Sequence, residues 1–280
     1  MKFVYSKWES FCKVLNQNGI HSITAAQVLE DSLAGVYCEE SFFNIKHDVE
    51  ASPRKALELA QVEAKYGHKS SYYVQSYLMT DVNMPIFKQI QSLGHELTYH
   101  HDVMDCGKGD LHEAMRYFED NLSLFQRNGF DIITVCQHGN PMTNYQNRDF
   151  FRSEMIQERY PQMADIMVDF MKKTQREYVY ISDVGMCFKI VNDPINNDKQ
   201  PSEEQYTILG DLDCVVNVIM AHPNQSYIVS SHPHRYYKSA FVAGVRKCIF
   251  NVIRYTAKVL FKIPGLKNVL FRFNAISKHL

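Results

Sequence analysis

The sequence lacks several features that would assign it to a class at once. Its seven cysteines are odd in number and scattered, and no two form a Cys-x-x-Cys pair. This argues against a disulfide framework and favours a reducing compartment. The first twelve residues have no apolar core of signal-peptide length, and no run of about 18 apolar residues occurs anywhere. We therefore expect a cytoplasmic protein without a membrane-spanning helix.

Acidic residues are missing from residues 238–280, which contain nine Lys and Arg and no Asp or Glu, although the whole chain has a formal net charge of −1. Such asymmetry predicts an anionic partner, either a membrane or nucleic acid. Large aliphatic residues alternate with basic ones at helical spacing between 240 and 262. This pattern is typical of an amphipathic helix that lies on an anionic membrane. A helix packed on the protein with a solvated basic face is the open alternative, and the absence of a nucleic-acid motif argues against nucleic acid.

Strand and helix patterns alternate through the rest of the chain. Strands are predicted at 41–47, 70–75, 96–101, 131–137, 177–182 and 226–231, mostly with helices between them. This alternation predicts a parallel α/β sheet of six or seven strands. Polar residues end nearly every strand, which favours an incomplete (β/α) barrel because its strand ends meet at one mouth. We expect a barrel domain over 1–237, with 1–38 as a helical lead-in, and a basic helical extension over 238–280.

The strand near 41–47 leads directly into a group of proton-handling side chains. His47, Asp48 and Glu50 follow an apolar stretch, and Ser52 and Pro53 are typical of the start of a helix. Residues two apart on an extended chain point the same way, so Asp48 and Glu50 can face one cavity. A carboxylate pair alone is also typical of a solvated loop, so this motif needs support from elsewhere.

That support comes from the other strand ends, which also carry histidine or aspartate. These residues are His100, His101, His138, Asp183, His232 and His234. A single histidine is more often structural than functional. Together with His47, Asp48 and Glu50, however, these residues occupy five strand ends, and such a group predicts a functional site. Catalytic zinc sites combine imidazole and carboxylate ligands and leave one position open for water.

Four segments resemble the polysaccharide deacetylase family of the NodB-homology type. They are Lys-His-Asp-Val-Glu at 46–50, Gly-His-Glu-x-x-x-His at 94–100, His-Gly at 138–139 and Ser-His-Pro at 231–233, and the similarity covers roughly residues 40–236. The resemblance implies a distorted (β/α) barrel with seven strands. It also implies hydrolysis of acetyl groups on sugars with a divalent metal, most often zinc.

The resemblance assigns roles residue by residue. Asp48 matches the catalytic base and lies within the metal site, and Glu50 matches the metal-binding carboxylate. His100 matches the first histidine of the metal pair. His232 matches the general acid, and Asp183 matches the acidic residue that orients a catalytic partner.

The chain also departs from the family pattern. Met104 stands where the second metal-binding histidine is expected, and His-Gly-Asn-Pro at 138–141 replaces an Arg-Pro motif. We expect the third ligand to be His138, or else His101. The candidate substrate-binding residues near the strand ends are Tyr99, His101, Asn140 and His234.

These observations predict a zinc-type hydrolase that removes an acetyl group from an N-acetylated sugar in surface-polysaccharide biosynthesis. If residues 240–280 contact the inner face of a membrane, a lipid-linked sugar is the expected substrate. Two alternatives stay open. One is a degenerate barrel that binds glycan without cleaving it, which Met104 favours. The other is a hydrolase of a different non-peptide C–N bond.

Overall fold

The computed structural model describes residues 3–35, 41–140, 143–194 and 206–260. The helices within these residues are α1 (Tyr5–Gln17), α2 (Ala25–Leu33), α3 (Pro53–Lys65), α4 (Met84–Ser92), α5 (Val103–Cys106), α6 (Leu111–Arg127), α7 (Arg148–Arg152), α8 (Glu154–Arg159), α9 (Phe170–Thr174), α10 (Leu212–Ala221) and α11 (Ala240–Leu260). The strands are β1 (Phe43–Val49), β2 (Ser71–Val74), β3 (Glu96–His101), β4 (Thr134–Gln137), β5 (Ala164–Asp165), β6 (Val179–Ser182), β7 (Phe188–Val191), β8 (Tyr206–Gly210) and β9 (Tyr227–Ser231).

The described strands form one nine-stranded sheet in the order β5-β4-β3-β2-β1-β9-β6-β7-β8. The first seven strands of this order pair in parallel, and β7 and β8 add an antiparallel extension to β6. A parallel strand needs a crossover connection, and the helices after β1, β2, β3 and β4 are such connections. The predicted α/β fold with about seven parallel strands is confirmed.

The parallel part of the sheet curls into a distorted barrel. The side chain of Lys46 on β1 approaches the rings of Tyr73 on β2 and Tyr180 on β6. The two outer parallel strands also come close, because the Tyr178 hydroxyl beside β6 donates a hydrogen bond of 2.9 Å to the Ile166 carbonyl beside β5. No strand pairing joins β5 to β6 within the described residues, so the barrel is open at this seam.

The boundary of β1 decides where the site begins. Sequence patterns predicted a strand over 41–47, but the strand runs from Phe43 to Val49 and is buried along its whole length. Asp48 is therefore part of the strand, not of the loop after it. Ser52 takes the N-cap position of α3 as expected, but its φ of 54° is left-handed and its side chain makes no capping hydrogen bond.

Apolar packing on both faces of the sheet holds β1 in place. On the outer face, Ile45 packs with Trp8 and Phe11 of α1. The inner cluster joins residues of α2 and α9 to side chains from β2, β4 and β6, and so fills the barrel. Burying one large aliphatic or aromatic side chain contributes roughly 1.5–3 kcal/mol, so these clusters stabilise β1 in its position.

Three strands were not predicted from the sequence. The two-residue β5 is too short for a recognisable pattern, and β7 and β8 flank residues 195–205, which lie outside the described residues. The helix predicted over 240–262 is present as α11, and the similar segment predicted at 266–273 lies outside the described residues. Within the part of the chain that the structure describes, no helix has both the length and the hydropathy to span a membrane.

Candidate active site

The site lies at the carboxyl ends of the parallel strands. Glu50 directly follows β1, and His138 directly follows β4. His100 lies near the end of β3, and Asp183 and His232 follow β6 and β9. Because these strands run in parallel, their carboxyl ends meet at one edge, as expected for a (β/α) barrel.

Glu50, His100 and His138 form a group that fits a metal ion. The Glu50 Oε1 atom lies 3.3 Å from His138 Nε2 and 3.8 Å from His100 Nε2. All three ligand atoms lie within 4.8 Å of one another. Two ligands of a tetrahedral zinc ion are about 3.4 Å apart, so small movements suffice for coordination. Two imidazoles and one carboxylate are also a donor set of catalytic zinc sites.

The second nitrogen of His100 supports this assignment. Its Nδ1 atom lies 2.9 Å from the Cys136 carbonyl and can donate a hydrogen bond to it. When the ring is neutral, this hydrogen bond leaves the lone pair of Nε2 facing Glu50, which is how a protein orients a metal-binding histidine. Burial lowers the pKa of His100, but the charge of Asp48 and the hydrogen bonds of the ring outweigh it and raise this pKa well above its ordinary value. The position therefore attracts positive charge.

His138 is held in the site by a buried amide. Asn147 donates a hydrogen bond of 2.8 Å to the His138 carbonyl, and its Oδ1 atom accepts one of 2.9 Å from the backbone N–H of Met104. Asp105 accepts hydrogen bonds from Asn140 and Asn147. Met104 itself is buried in an apolar cluster. The helix that lacks a histidine at 104 thus anchors the loop that brings His138 to the site.

Asp48 lies in β1, two residues before Glu50, and its side chain points to the same side of the sheet. Its two carboxylate oxygens accept hydrogen bonds of 2.6 and 2.7 Å from Lys46 Nζ, and Lys46 is almost fully buried. Burial raises the pKa of Asp48, but the charges of Lys46, His100 and His232 outweigh it and lower the pKa to about 2. Asp48 is therefore ionised and fixed in orientation.

His232 faces the carboxylates from the opposite side. Its Nε2 atom lies 3.8 Å from Glu50 Oε1 and 4.0 Å from Asp48 Oδ2. Its Nδ1 atom lies 2.7 Å from Asp183 Oδ1, which also accepts a hydrogen bond of 2.7 Å from Arg235. Burial raises the pKa of Asp183, but Arg235 and His232 outweigh it and hold this pKa well below its usual range. The Asp183 carboxylate can thus accept a hydrogen bond from Nδ1 of His232, which leaves Nε2 facing the site.

The structure corrects two of the predicted substrate-binding residues. Tyr99 is fully buried, and its hydroxyl accepts a hydrogen bond from Asn121 on α6. His101 is fully buried as well, and its Nε2 atom pairs with Asp165 at 2.8 Å. Successive residues of a strand point to opposite faces. His100 therefore faces the site, whereas Tyr99 and His101 cannot contact a sugar, and His101 is excluded as the third ligand.

Of the other predicted site residues, His234 and Asn140 lie at the rim of the site, and Asp48 belongs to a second potential metal group. The ring of His234 is 5.6 Å from that of His232, and the amide of Asn140 donates to Asp105. Both stay predicted substrate contacts. Asp48 is absent from the Glu50 group but forms a second potential metal group with His100 and Cys136. Its role as a ligand stays a prediction.

Three residues at the site were not assigned from the sequence: Lys46, Asn147 and Arg235. Lys46 could have been inferred, because it lies two residues before Asp48 on a strand and so points the same way. Arg235 and Asn147 gave no signal, because their partners are distant in sequence.

No protein-family model and no curated protein matches this sequence. Two solved structures are similar at low identity. One is the Xyl-CE4 domain of a multidomain xylanase from the hindgut metagenome of Trinervitermes trinervoides, with 11% identity and a TM-score of 0.41 over 78% of this chain and 84% of that chain. The other is a mutant form of the peptidoglycan deacetylase PdaC from Bacillus subtilis, with 9% identity and a TM-score of 0.35 over 80% of this chain and 97% of that chain.

The second of these proteins is a deacetylase by description, and the motifs of this chain resemble the polysaccharide deacetylase family. Likeness at this level is too remote to assign chemistry to single residues. The chemistry is therefore inferred from the geometry of the site.

Proposed function

We propose that this protein is a metal-dependent hydrolase that removes the acetyl group from an N-acetylated sugar. One observation carries the proposal: a carboxylate–histidine group that fits a metal lies between an ionised aspartate and a histidine–aspartate pair. Hydrolysis of an amide needs these three elements, because a water must be activated, a carbonyl polarised and the leaving nitrogen protonated.

Glu50, His100 and His138 would hold the metal ion. Zinc is the first choice, since two imidazoles and one carboxylate form a familiar catalytic zinc set. When bound, such an ion polarises a carbonyl and lowers the pKa of water.

Asp48 and His232 would divide the proton transfers between them. Asp48 accepts a proton from the attacking water, because its carboxylate is ionised and its Oδ2 atom lies 4.0 Å from His232 Nε2 in the site. His232 donates a proton from Nε2 to the departing nitrogen, and Asp183 holds Nδ1 during this step. The Asp183–Arg235 pair keeps the ring in one orientation.

The sugar class and the pathway belong to the same proposal. The family resemblance supports a carbohydrate substrate, and the basic C-terminal segment supports a surface-polysaccharide precursor, lipid-linked at the cytoplasmic face of a membrane. Cysteine usage supports the compartment, because the described cysteines are all unpaired.

Metal content is the decisive test. Protein purified without chelator should contain about one zinc or similar ion per chain by elemental analysis, and His100→Ala should lose it because one imidazole ligand is removed. His101→Gln is the matched control, since this neighbouring histidine is buried away from the site. If wild type stays metal-free after zinc is supplied, the proposal fails.

Activity on N-acetylated oligosaccharides separates the proposed function from its rivals. Wild type should release acetate, whereas Asp48→Asn should bind the same sugar and release none.

Lys46 favours the glycan-binding alternative, because its double contact with Asp48 makes that carboxylate a weak base. Sugar binding without acetate release in wild type would support that alternative. Cleavage of a cyclic amide, and not of an acetylated sugar, would support a hydrolase of another C–N bond.

A further inference from the structure

Helix α11 exposes its large apolar residues to solvent. Phe241, Val245, Ile249 and Val252 recur at intervals of three and four residues and so form one stripe on the helix. Their exposed fractions are 78%, 43%, 47% and 66%. We call these four residues the apolar stripe. An ordinary surface helix buries such a stripe against the protein core, whereas this helix directs its apolar stripe towards solvent.

The stripe faces away from the body of the protein. Among the side chains of this helix that the structure describes, Ala243 is the buried one, with an exposed fraction of 3%. At about 100° per residue, Ala243 lies roughly 160° around the helix axis from Phe241 and Val245. In the first turn of α11, the side that packs on the protein is therefore nearly opposite the apolar stripe.

The charge around the helix indicates the nature of the partner. At about 100° per residue, Arg246 lies roughly 60° around the helix axis from Ile249, and residues 238–280 contain nine basic residues and no acidic one. Two other segments could cover the stripe, and both are basic. Residues 261–280 carry Lys262, Lys267, Arg272 and Lys278, and α11 of a second copy carries the same charges as α11 itself. Like charges repel, so neither is a complementary cover for the stripe. A surface that is apolar inside and anionic outside is complementary, and an anionic lipid membrane has this character.

The helix begins at the end of the barrel that carries the site. Lys238, just before α11, lies 3.3 Å from Glu58 of α3. Lys55, in the first turn of α3, donates a hydrogen bond of 2.8 Å to the carbonyl of His234 at the rim of the site. Burial lowers the pKa of Lys55, and the charge of Arg246 on α11 lowers it further. A membrane on the apolar stripe would thus lie near the mouth of the barrel.

We infer that the apolar stripe of α11 docks on an anionic membrane surface, with Phe241, Val245, Ile249 and Val252 in the interfacial region and Arg246 beside them against lipid headgroups. This surface does not depend on the proposed deacetylase activity. It gives that activity a location, because a sugar carried on a lipid anchor would be presented beside the site.

Co-sedimentation of the full chain with lipid vesicles tests this inference. Wild type should bind vesicles of phosphatidylcholine with phosphatidylglycerol and should bind pure phosphatidylcholine vesicles much more weakly. The double variant Val245→Asp/Ile249→Asp should bind the anionic vesicles at least about tenfold more weakly, because it places two charges in the apolar contact. Val82→Asp is the matched control, since Val82 is 85% exposed and lies outside α11.

Circular dichroism of the double variant should match wild type, because both substituted side chains are exposed. Equal vesicle binding by wild type and the double variant, or no binding by wild type, would overturn the inference. If light scattering shows that wild type self-associates without binding vesicles, and the double variant is monomeric, the stripe is an interface between copies instead. The assay measures neither metal nor acetate, so its failure is separate from a failure of the proposed function.

Discussion

Two histidine–carboxylate pairs lie on opposite faces of the sheet beside β1, and they differ in what surrounds them. His47 Nε2 lies 2.7 Å from Glu63 Oε1, and His232 Nδ1 lies 2.7 Å from Asp183 Oδ1. The distances are the same, and both carboxylates are fully buried. Pair geometry alone therefore does not separate a structural pair from a catalytic one.

The two pairs differ in the hydrogen-bond partners of the atoms that do not join histidine to carboxylate. Glu63 also accepts hydrogen bonds from Trp8 at 2.9 Å and Tyr72 at 2.6 Å, and the other nitrogen of His47 faces the Ser231 carbonyl. Every polar atom of this pair thus has a protein partner. His232, in contrast, directs its second nitrogen towards Glu50 and Asp48 at 3.8–4.0 Å, where a substrate can enter. Spare hydrogen-bonding capacity at a partly exposed position distinguishes the pair that we propose to be catalytic.

The largest expected effect comes from breaking the pair in the site. His232→Gln should lower the turnover number for acetate release by about 10²–10⁴-fold, because the proton donor is lost. The free energy of unfolding should change by less than about 2 kcal/mol, since Asp183 keeps its contact with Arg235. Kinetics and urea denaturation measure the two quantities. A variant with wild-type turnover would show that another group protonates the leaving nitrogen.

Breaking the structural pair should have the reverse outcome. Glu63→Gln should lower the free energy of unfolding by about 3 kcal/mol, because one amide cannot accept all the hydrogen bonds of a buried carboxylate. Metal content of the folded variant should stay at the wild-type level, because Glu63 lies outside the site. Urea denaturation and elemental analysis test this prediction, and loss of metal from folded protein would contradict it.

The same comparison predicts a pH dependence of stability. Burial raises the pKa of Glu63, but His47 outweighs it and lowers the pKa from 4.5 to about 2. A carboxylate with a lowered pKa stabilises the fold fully above its unfolded pKa and loses that contribution as the pH falls. Glu63 should therefore contribute about 3 kcal/mol that disappears between about pH 4.5 and pH 2. The difference in the free energy of unfolding between wild type and Glu63→Gln should shrink across this window in urea titrations. Because Asp48 is present in both proteins, this difference reports on Glu63.

A smaller effect should come from the amide that holds His138. Asn147→Ala should weaken zinc binding by about 10–100-fold, the usual cost of removing a residue that orients a metal ligand. Zinc affinity of the apoprotein is measured by competition with a chromophoric chelator. Asn121→Ala is the control, because it also removes a hydrogen-bonded amide side chain but lies outside the site. Equal zinc affinities of the two variants would show that Asn147 does not position His138.

The smallest effect is expected at Tyr99. Tyr99→Phe removes the hydrogen bond from Asn121 and should lower the free energy of unfolding by about 1 kcal/mol. The Michaelis constant for sugar should stay within about twofold of wild type, because the ring is buried in the core. A clear rise in the Michaelis constant would restore Tyr99 as a substrate contact.

These comparisons show why sequence reasoning reached one part of the site and not another. The position of Asp48 and Glu50 on one face of β1 follows from the two-residue period of a strand, so their convergence was predictable. The same period separates His100 from His101. The sequence left both histidines as candidates because it does not say which face of β3 opens to the site. Only the packing of His101 against Asp165 and the rings around it answers that question.

By itself, the sequence determined the parallel α/β fold, the helix that begins at Ala240 and the carboxylate–histidine motifs at the strand ends. Each of these depends on periodicity or on neighbours within a few residues. The tertiary structure alone decided the pairing of Arg235 with Asp183, the Asn147 anchor under His138 and the direction of the apolar stripe on α11. Each of these depends on how distant segments pack, because the contacts join residues far apart in the chain and no local pattern records them.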